Sequence, residues 1–187
     1  MTTLKTKRLI LRPWLEEDLE YFAQLNADPR VMEHFPSVKS LEESTREYEA
    51  ILEHFKIHGY GWWAVSERNK TNFIGFIGLR YIDFPALFTP AFEIAWRLAY
   101  NYWGKGYATE GANAALEYGF DVIKLSEIIS FTSVPNIRSQ AVMERIGMHH
   151  DPKDDFDHPK LPEDHWLKRH VLYRLSARDW QQRADLI

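Results

Sequence analysis

The chain has 187 residues, 45% of them hydrophobic and 27% charged, which is the composition of a globular domain and not of a membrane bundle or a disordered tail. It contains no cysteine, which excludes disulfides, thiolate metal sites and any mechanism that holds an acyl group on an enzyme thiol. The formal net charge of −4 gives no general attraction to nucleic acid or to anionic membranes. We expect a single domain over residues 1–187, located in the cytoplasm because the N-terminal stretch lacks the apolar run of a signal peptide or membrane span.

The first third of the chain predicts one strand and two helices. Apolar residues alternate with their neighbours at the start and then recur at helical spacing. Ser40 followed by Glu43 is the capping-box pattern, in which each side chain accepts a hydrogen bond from the backbone N–H of the other residue. The predicted elements are a strand over 8–12, a helix over 15–26 that Asp28-Pro29 ends, and a helix from Ser40 to Gly59.

The middle of the chain predicts a hairpin and a third strand. The hairpin strands cover 62–67 and 73–80, and the polar turn 68–72 joins them. In the third strand, over 91–98, apolar side chains on one face alternate with Glu93, Ala95 and Arg97 on the other. One carboxylate therefore lies in the middle of a strand.

The last part of the chain alternates helices and strands, which predicts an α/β fold. We expect the polar, Pro-rich segment 151–164 to be a solvated loop before the last strand. Its His and Asp residues follow no spacing known for metal ligands, so we predict no metal site. The predicted elements are a helix over 106–122, a strand over 127–132, a helix over 137–146 closed by Gly147, a strand over 170–175 and a terminal stretch from Ser176.

Two glycines spaced by one residue join the third strand to the next helix. Glycine permits positive φ and has no Cβ to block a ligand, and the first turn of a helix offers unpaired N–H donors with a partial positive charge. This pattern is compatible with a phosphate-binding turn, but by itself it indicates a tight connection without a ligand at least as well. The spacing matches neither a P-loop nor the dinucleotide fingerprint, which disfavours ATP and NAD. The candidate residues are Gly104, Lys105, Gly106, Tyr107, Ala108 and Thr109.

A second segment, beginning Asn136-Ile137-Arg138-Ser139, follows the next strand and ends at Gly147-Met148. The ordered pair of segments resembles the acetyl-CoA signature of the GNAT N-acetyltransferase superfamily, Arg/Gln-x-x-Gly-x-Gly/Ala followed by a helix that begins Asn-x-x-Ser/Ala and ends in Gly-Phe. The opening string 6–13 and the Trp-Gly-Lys-Gly-Tyr-Ala-Thr-Glu string over 103–110 are similar to the RimJ/RimL branch, which acetylates ribosomal-protein N-termini. The resemblance covers almost the whole chain.

The resemblance implies a GNAT fold, a single α/β domain with a mixed, strongly twisted central sheet flanked by helices. It also implies acetyl-CoA as the cosubstrate, with no metal. The pantetheine arm would bond to the backbone of Trp96, Arg97 and Leu98, and Asn136 and Ser139 would also contact the cofactor.

The sequence departs from the GNAT pattern at two positions. Asn101 replaces the usual Arg or Gln, which changes little where backbone donors hold the phosphate. Many members place a tyrosine seven residues after the asparagine as proton donor to the leaving thiolate, and here that residue is Met143, which cannot donate a proton. In the RimL-like branch the serine is a proposed donor instead, which corresponds to Ser139. The alternative is that Ser139 only caps a helix or holds the cofactor.

The acceptor amine must be neutral before it attacks. Because a protein α-amino group has a pKa of ~7.7–8.0 against ~10.4 for lysine, an N-terminal acceptor needs only a modest base. Glu93 is the candidate base, directly or through water, and the alternative is that it pairs with Arg97 on the same face. The resemblance also singles out His170, without assigning it a role, because the RimJ/RimL pattern places polar residues there beside the acceptor groove.

We therefore expect direct acetyl transfer from acetyl-CoA to a primary amine, first of all the N-terminal α-amino group of a protein such as a ribosomal protein. No direct binding of nucleic acid or membrane is expected. A small-amine acetyltransferase acting on a polyamine or antibiotic would show an acidic pocket around 151–164. A non-catalytic CoA-binding module would keep its function without Glu93 and Ser139, and an RNA-binding domain would need an extended basic face. We expect Gly106→Val to abolish CoA affinity and leave the fold largely intact.

Overall fold

The structure is a computed structural model that describes residues 2–184. The α/β class expected from the sequence is confirmed, with parallel and antiparallel strand pairs. The strands are β1 (Leu4–Lys5), β2 (Leu9–Arg12), β3 (Trp62–Glu67), β4 (Phe73–Ile82), β5 (Ala91–Leu98), β6 (Glu127–Ser133), β7 (His149–His150), β8 (Phe156–Asp157) and β9 (Arg169–Ser176). The helices are α1 (Asp18–Ala27), α2 (Leu41–His58), α3 (Tyr107–Glu117), α4 (Ile137–Arg145) and α5 (Ala177–Ala184).

The chain forms two compact units. The first comprises the chain up to Arg80 together with Ala95–Ala115, and the second comprises Tyr81–Ile94 and the chain from Leu116 onward. The chain therefore passes from one unit to the other inside β4, β5 and α3. The single domain expected over residues 1–187 stays a prediction.

In the first unit, β1 to β4 form an antiparallel ladder in chain order. Helix α2 begins with the predicted capping box, since Ser40 and Glu43 each accept the other's backbone N–H. It ends at Gly59, whose φ of 76° is the left-handed conformation that favours glycine. These two local signals were sufficient to locate an 18-residue helix.

Helix α1 begins at Asp18, three residues later than the sequence predicted at Leu15. The later start is caused by contacts of the Asp18 side chain outside the helix. The buried carboxylate of Asp18 accepts two hydrogen bonds from the Arg12 guanidinium, at 2.6 and 2.8 Å, and a third from the backbone N–H of Leu15 at 2.8 Å. These bonds fold residues 15–17 into a turn, so the apolar periodicity starts before the helix does.

The first unit has an aromatic core between its sheet and helices. Trp63, Phe22, Phe55 and Phe76 are its largest fully buried side chains. Burial of each such side chain contributes about 1.5–3 kcal/mol. Helix α3 packs tightly on this sheet, because a Cβ on Gly111 would lie only 2.5 Å from Ile77 Cδ1. That close approach positions the N-terminal end of α3.

In the second unit, β6 and β9 pair antiparallel from Glu127↔Ser176 to Ser133↔His170, and β5 pairs parallel with β6 at Glu93↔Ile129. Strands β7 and β8 pair with β9. The core contains Ile82, Ile129 and Leu172, and the rings that pack against it are Phe84, Phe88, Phe131 and Phe156.

Two predictions in the second unit were partly wrong. The segment 151–164 is not simply a solvated loop, because it contains a 3-10 turn (Pro152–Asp154) and β8, and Phe156 packs on Phe88 with ring centroids 4.7 Å apart. The helix predicted over 106–122 is α-helical only to Glu117 and continues as one π-helical turn, Tyr118–Val122.

Candidate active site

The connection between β5 and α3 is an elbow built on two glycines. After β5 the chain makes one 3-10 turn, Tyr100–Tyr102, and then reaches Gly104 and Gly106 with φ of 73° and 75°. Residues with a side chain rarely adopt these backbone angles, so the elbow requires glycine at both positions. We call residues 103–109 the elbow.

The elbow is open on the side where side chains would project. Apart from the chain neighbours and among residues 2–184, a Cβ built on Gly104 would meet no atom within 4 Å, and one on Gly106 would meet only Arg8 Nη2, at 3.4 Å. The first turn of α3 adds the backbone N–H groups of residues 107–109, which have no carbonyl one turn earlier in the helix to bind. Open space, bare backbone and N–H donors together fit a diphosphate. Cofactor binding by these residues stays a prediction.

Two aromatic side chains brace the elbow. The indole N–H of Trp103 donates to the Leu98 carbonyl at 2.7 Å, which ties the elbow to the end of β5. The buried Tyr107 donates its hydroxyl to Glu67 at 2.7 Å. That hydrogen bond to a carboxylate, together with burial, raises the pKa of Tyr107, so the hydroxyl stays protonated. The elbow is thus fixed at both ends.

Arg8 and Glu110 lie against the elbow, and the sequence analysis had not assigned either of them to the site. The Arg8 guanidinium lies 4.8 Å from the centroid of the Tyr107 ring and forms an ion pair of 2.6 Å with Glu110. Burial alone would raise the pKa of Glu110, but hydrogen bonds from Thr6 and Arg8 outweigh it and lower the pKa, so the carboxylate is ionised. The sequence signals were the positions of Arg8 in the family-like string 6–13 and of Glu110 at the end of the string 103–110.

Three β5 residues were assigned to the pantetheine arm, and the burial of one of them, Arg97, differs from the expectation. Trp96 is half-buried and Leu98 is buried. Arg97, placed on the polar face by the alternation, is also buried, and its Nη1 donates to Asn26 at 2.6 Å and to Glu47 at 3.4 Å. Desolvation lowers the pKa of Arg97, and the Glu47 carboxylate opposes that shift. The Arg97 side chain is therefore part of a buried polar network, whereas its backbone role stays a prediction.

Glu93 lies in the second unit, half-buried on β5 and level with Ile129 of β6. Next to it, the Ser130 hydroxyl donates to the Ile94 carbonyl at 2.8 Å. This bond fixes the strand that carries Glu93. Its role as the base stays a prediction.

Asn136 and Ser139 form the start of α4. Asn136 is the N-cap, since its side chain accepts the backbone N–H of Ser139 at 3.3 Å and donates to Thr132 Oγ1 at 2.8 Å. The capping side chain is therefore Asn136 and not Ser139, and the half-buried Ser139 contributes its backbone to the cap. Met143, at the position of the family's tyrosine, is 1% exposed and belongs to the core.

Most carboxylates in the segment 151–164 have a partner in the protein, and Asp164 is the exception among residues 2–184. Asp154 pairs with Arg174 at 2.5 Å, Asp157 pairs with Arg169 at 3.3 Å, and Asp155 bonds to His150 at 2.7 Å. Asp151 instead accepts the backbone N–H of Lys153. The segment therefore does not present a row of unpaired carboxylates.

His170 is buried on β9 and its Nδ1 lies 3.1 Å from the Lys168 carbonyl, an acceptor, so Nδ1 carries the proton. Burial lowers the pKa of His170 and lowers that of the neighbouring His158 to about 4. The two rings are 5.0 Å apart. Across residues 2–184, no three His, Asp or Glu side chains are grouped as metal ligands. None of the helices in that range is long and apolar enough to cross a membrane.

Comparison with known proteins finds that this chain is similar to acetyltransferases. A family model for the acetyltransferase (GNAT) domain matches residues 8–149. The chain is 29% identical over 177 residues to the uncharacterized N-acetyltransferase YnaD of Bacillus subtilis, covering 95% of this chain and 98% of that protein. It is 30% identical over 189 residues to the FsC-acetyl coenzyme A-N(2)-transacetylase of Aspergillus fumigatus, covering 95% and 77%. A third relative, the spermidine N(1)-acetyltransferase of Escherichia coli, is 26% identical over 149 residues, covering 73% and 70%.

Two solved structures show the same architecture. The GNAT-family acetyltransferase of Bacillus anthracis superposes with a TM-score of 0.77 at 25% identity, covering 95% of this chain and 99% of that one. The spermidine N-acetyltransferase of Vibrio cholerae, solved with CoA and spermine, superposes with a TM-score of 0.71 at 21% identity, covering 92% and 98%.

Proposed function

We propose that this chain, which belongs to the GNAT acetyltransferase family and is an N-acetyltransferase, acts on the N-terminal α-amino group of a protein. The GNAT fold and the enzyme class expected from the sequence are confirmed by the family match and the solved structures. The family uses acetyl-CoA as the acetyl donor. The RimJ/RimL branch and a ribosomal protein as the acceptor belong to the proposal.

The observation that carries the cofactor half of the proposal is the open elbow. Gly104 and Gly106 hold positive φ, and apart from the chain neighbours of Gly104 no atom of residues 2–184 fills the space beside it. Gly59 shares this open space, but it ends α2, whereas the elbow leads into the first turn of α3, where N–H donors are unpaired. Backbone N–H groups at 107–109 would hold the diphosphate of acetyl-CoA.

The bound cosubstrate supplies a thioester carbonyl that an amine can attack. The amine nitrogen bonds to the acetyl carbon, the carbon–sulfur bond breaks, and the electron pair leaves with sulfur. Glu93 takes the proton that the amine loses, and the Ser139 hydroxyl passes a proton to the departing sulfur, with solvent restoring it. Because the chain has no cysteine, direct attack with both substrates bound is the route that needs no enzyme thiol.

The charges around 151–164 favour a singly charged amine over a polyamine. A polyamine carries two or more positive charges, and its binding would require unpaired carboxylates. Here Asp154, Asp155 and Asp157 already pair with protein cations or a histidine. An α-amino group, with its pKa of ~7.7–8.0, also needs less help to lose a proton than a polyamine nitrogen, whose pKa resembles the ~10.4 of lysine. The polyamine function of the spermidine acetyltransferase relatives is therefore the second candidate.

The test is thiol release from acetyl-CoA with a panel of acceptors. We expect turnover with peptides that contain a lysine and have a free N-terminus. We expect no turnover when the N-terminus of the same peptides is blocked and the lysine side chain is the one remaining amine. Turnover with spermidine and not with any peptide would overturn the acceptor half of the proposal. Glu93→Gln should lower kcat on the best peptide by about 10²–10⁴-fold, while Glu163→Gln, a control at an exposed carboxylate, should leave kcat unchanged.

A further inference from the structure

Arg8 is held in one orientation by Glu110. Its backbone N–H and its Nε donate to the two oxygens of Glu110, at 2.7 and 2.6 Å, and its Nη1 donates to the Lys105 carbonyl at 2.9 Å. The Glu110 carboxylate is fixed in turn by the Thr6 hydroxyl at 2.6 Å. The guanidinium is thus tied at two of its three nitrogens, although its side chain remains 44% exposed.

The third nitrogen points at the elbow. Arg8 Nη2 has no hydrogen-bond acceptor among residues 2–184, and it is the one atom within 4 Å of the place where a Cβ of Gly106 would lie. Its N–H groups therefore lie beside the open space of the elbow. The negative charge of Glu110 is offset by its ion pair with Arg8, so it would not repel an anion there strongly.

The charges nearby favour an anion. Lys105, within the elbow, and Lys70 add to the charge of Arg8, against the two carboxylates Glu67 and Glu110. Hydrogen bonds from Lys70 and Tyr107 lower the pKa of Glu67, so that carboxylate is ionised and already occupied. Three cations against two carboxylates leave an excess positive charge, and a guanidinium with free N–H groups is a suitable donor to phosphate oxygens.

We infer that Arg8 is a cofactor-binding residue, whose Nη2 donates a hydrogen bond to the diphosphate of acetyl-CoA, and that Glu110 is its positioning residue. The inference rests on the proposed function, since it requires the elbow to hold that diphosphate. It adds a side-chain hydrogen bond, from a segment about 100 residues away in sequence, to the backbone N–H donors of the elbow.

The test compares acetyl donors that differ in their phosphates. A charge-assisted hydrogen bond corresponds to about a 10- to 100-fold change in affinity. Arg8→Gln should therefore lower kcat/KM by about 10- to 100-fold for acetyl-CoA and for acetyl-dephospho-CoA, which keeps the diphosphate. It should leave S-acetylpantetheine, which has no phosphate, nearly unchanged. Arg46→Gln removes a cation with one exposed ion pair on α2 and should change none of the three.

Equal losses for all three donors would overturn the inference, because they would mean that Arg8 only supports the fold. A loss for acetyl-CoA alone would also overturn it, because the contact would then be to the 3′-phosphate. Unchanged kinetics in Arg8→Gln with an active wild type would overturn this inference but not the proposed function. A wild type that neither binds nor turns over acetyl-CoA would overturn both.

A measurement on the wild type covers the case in which Arg8→Gln does not fold. Arg8 is exposed enough to react with phenylglyoxal, and modified arginines can be located by peptide mass mapping. We expect CoA to protect Arg8 from modification and pantetheine not to protect it. Modification of Arg8 at the same rate with and without CoA would overturn the inference.

Discussion

Asn136 Oδ1 accepts the backbone N–H of Ser139 at 3.3 Å, so the cap of α4 depends on the Asn136 side chain and not on the Ser139 hydroxyl. The two side chains of the Asn-x-x-Ser pattern therefore have separable roles. The Asn136 side chain caps the helix and supports the fold, whereas the Ser139 hydroxyl takes no part in the cap.

Ser139→Ala should leave the free energy of unfolding within about 0.5 kcal/mol of the wild type, since the change removes no cap. If Ser139 delivers the proton to the leaving thiolate, kcat should fall by about 10²-fold or more, which single-turnover kinetics would measure. Asn136→Ala is the matched control, because it should cost about 1 kcal/mol of stability through the lost cap. An unchanged kcat in Ser139→Ala would mean that the thiolate leaves without help from this residue.

Gly104 and Gly59 form a matched pair of glycines. Both have left-handed φ, 73° and 76°, and a Cβ on either would meet no atom within 4 Å. Alanine at either position should therefore cost a similar backbone strain of about 1–2 kcal/mol. Only Gly104→Ala should also weaken CoA binding in calorimetry, because only its methyl group would enter the elbow. Equal CoA affinity in the two variants would contradict the assignment of the elbow.

The same geometry adds a cost in stability to our expectation for Gly106→Val. Its φ of 75° is a conformation that a β-branched residue adopts only with strain, so this variant should lower the free energy of unfolding as well as the CoA affinity. Gly104→Ala, compared with Gly59→Ala, separates the effect of backbone strain from the effect of ligand exclusion. Gly106→Val does not separate these two effects.

Much of the fold could be predicted from local sequence signals. The bounds of β5 agree with the alternation, and Ser40, Gly59 and Gly147 mark helix ends because capping depends on neighbouring residues alone. Three two-residue strands, β1, β7 and β8, were missed because a pair of residues has no period.

The remaining features depend on tertiary contacts that no local pattern encodes. The burial of Arg97 requires Asn26 and Glu47 from two distant helices. The contact between Arg8 and the elbow requires Glu110, 102 residues further along the chain. Glycine spacing predicted the elbow, but only coordinates could show which side chain faces it.

The Arg97 network predicts a large effect at Glu47. This carboxylate is 15% exposed and bonds to Lys39 at 2.7 Å as well as to Arg97. Burial alone would raise the pKa of Glu47, but Arg97 and Lys39 outweigh it and lower the pKa. Because removal of one partner leaves the other charge buried, Glu47→Gln should cost about 3 kcal/mol of unfolding free energy, measured with urea. The control Glu42→Gln breaks an exposed ion pair with Arg46 and should cost no more than about 0.5 kcal/mol. Similar losses in both variants would contradict the buried network.

His158 predicts how stability depends on pH. Its pKa is lowered to about 4, first by burial and then by repulsion from His170, Lys160 and Lys168, whereas the unfolded chain titrates near ~6.5. The unfolded state therefore binds more protons than the folded state between these values. The contribution of His158 to stability is complete above about pH 6.5 and is lost progressively as the pH falls towards about 4.

The variant that tests this keeps the hydrogen bond and removes the titration. His158 Nδ1 accepts the backbone N–H of Lys160 at 3.3 Å, and an asparagine oxygen can accept in its place. His158→Asn should therefore show a smaller fall in Tm between pH 7 and pH 4 than the wild type. His165→Asn is the matched control for the substitution itself, because His165 accepts the N–H of Leu167 in the same local geometry, at 3.1 Å. If the slope of His158→Asn equals that of the wild type, other groups, including His54 with its pKa of about 4, cause the acid sensitivity.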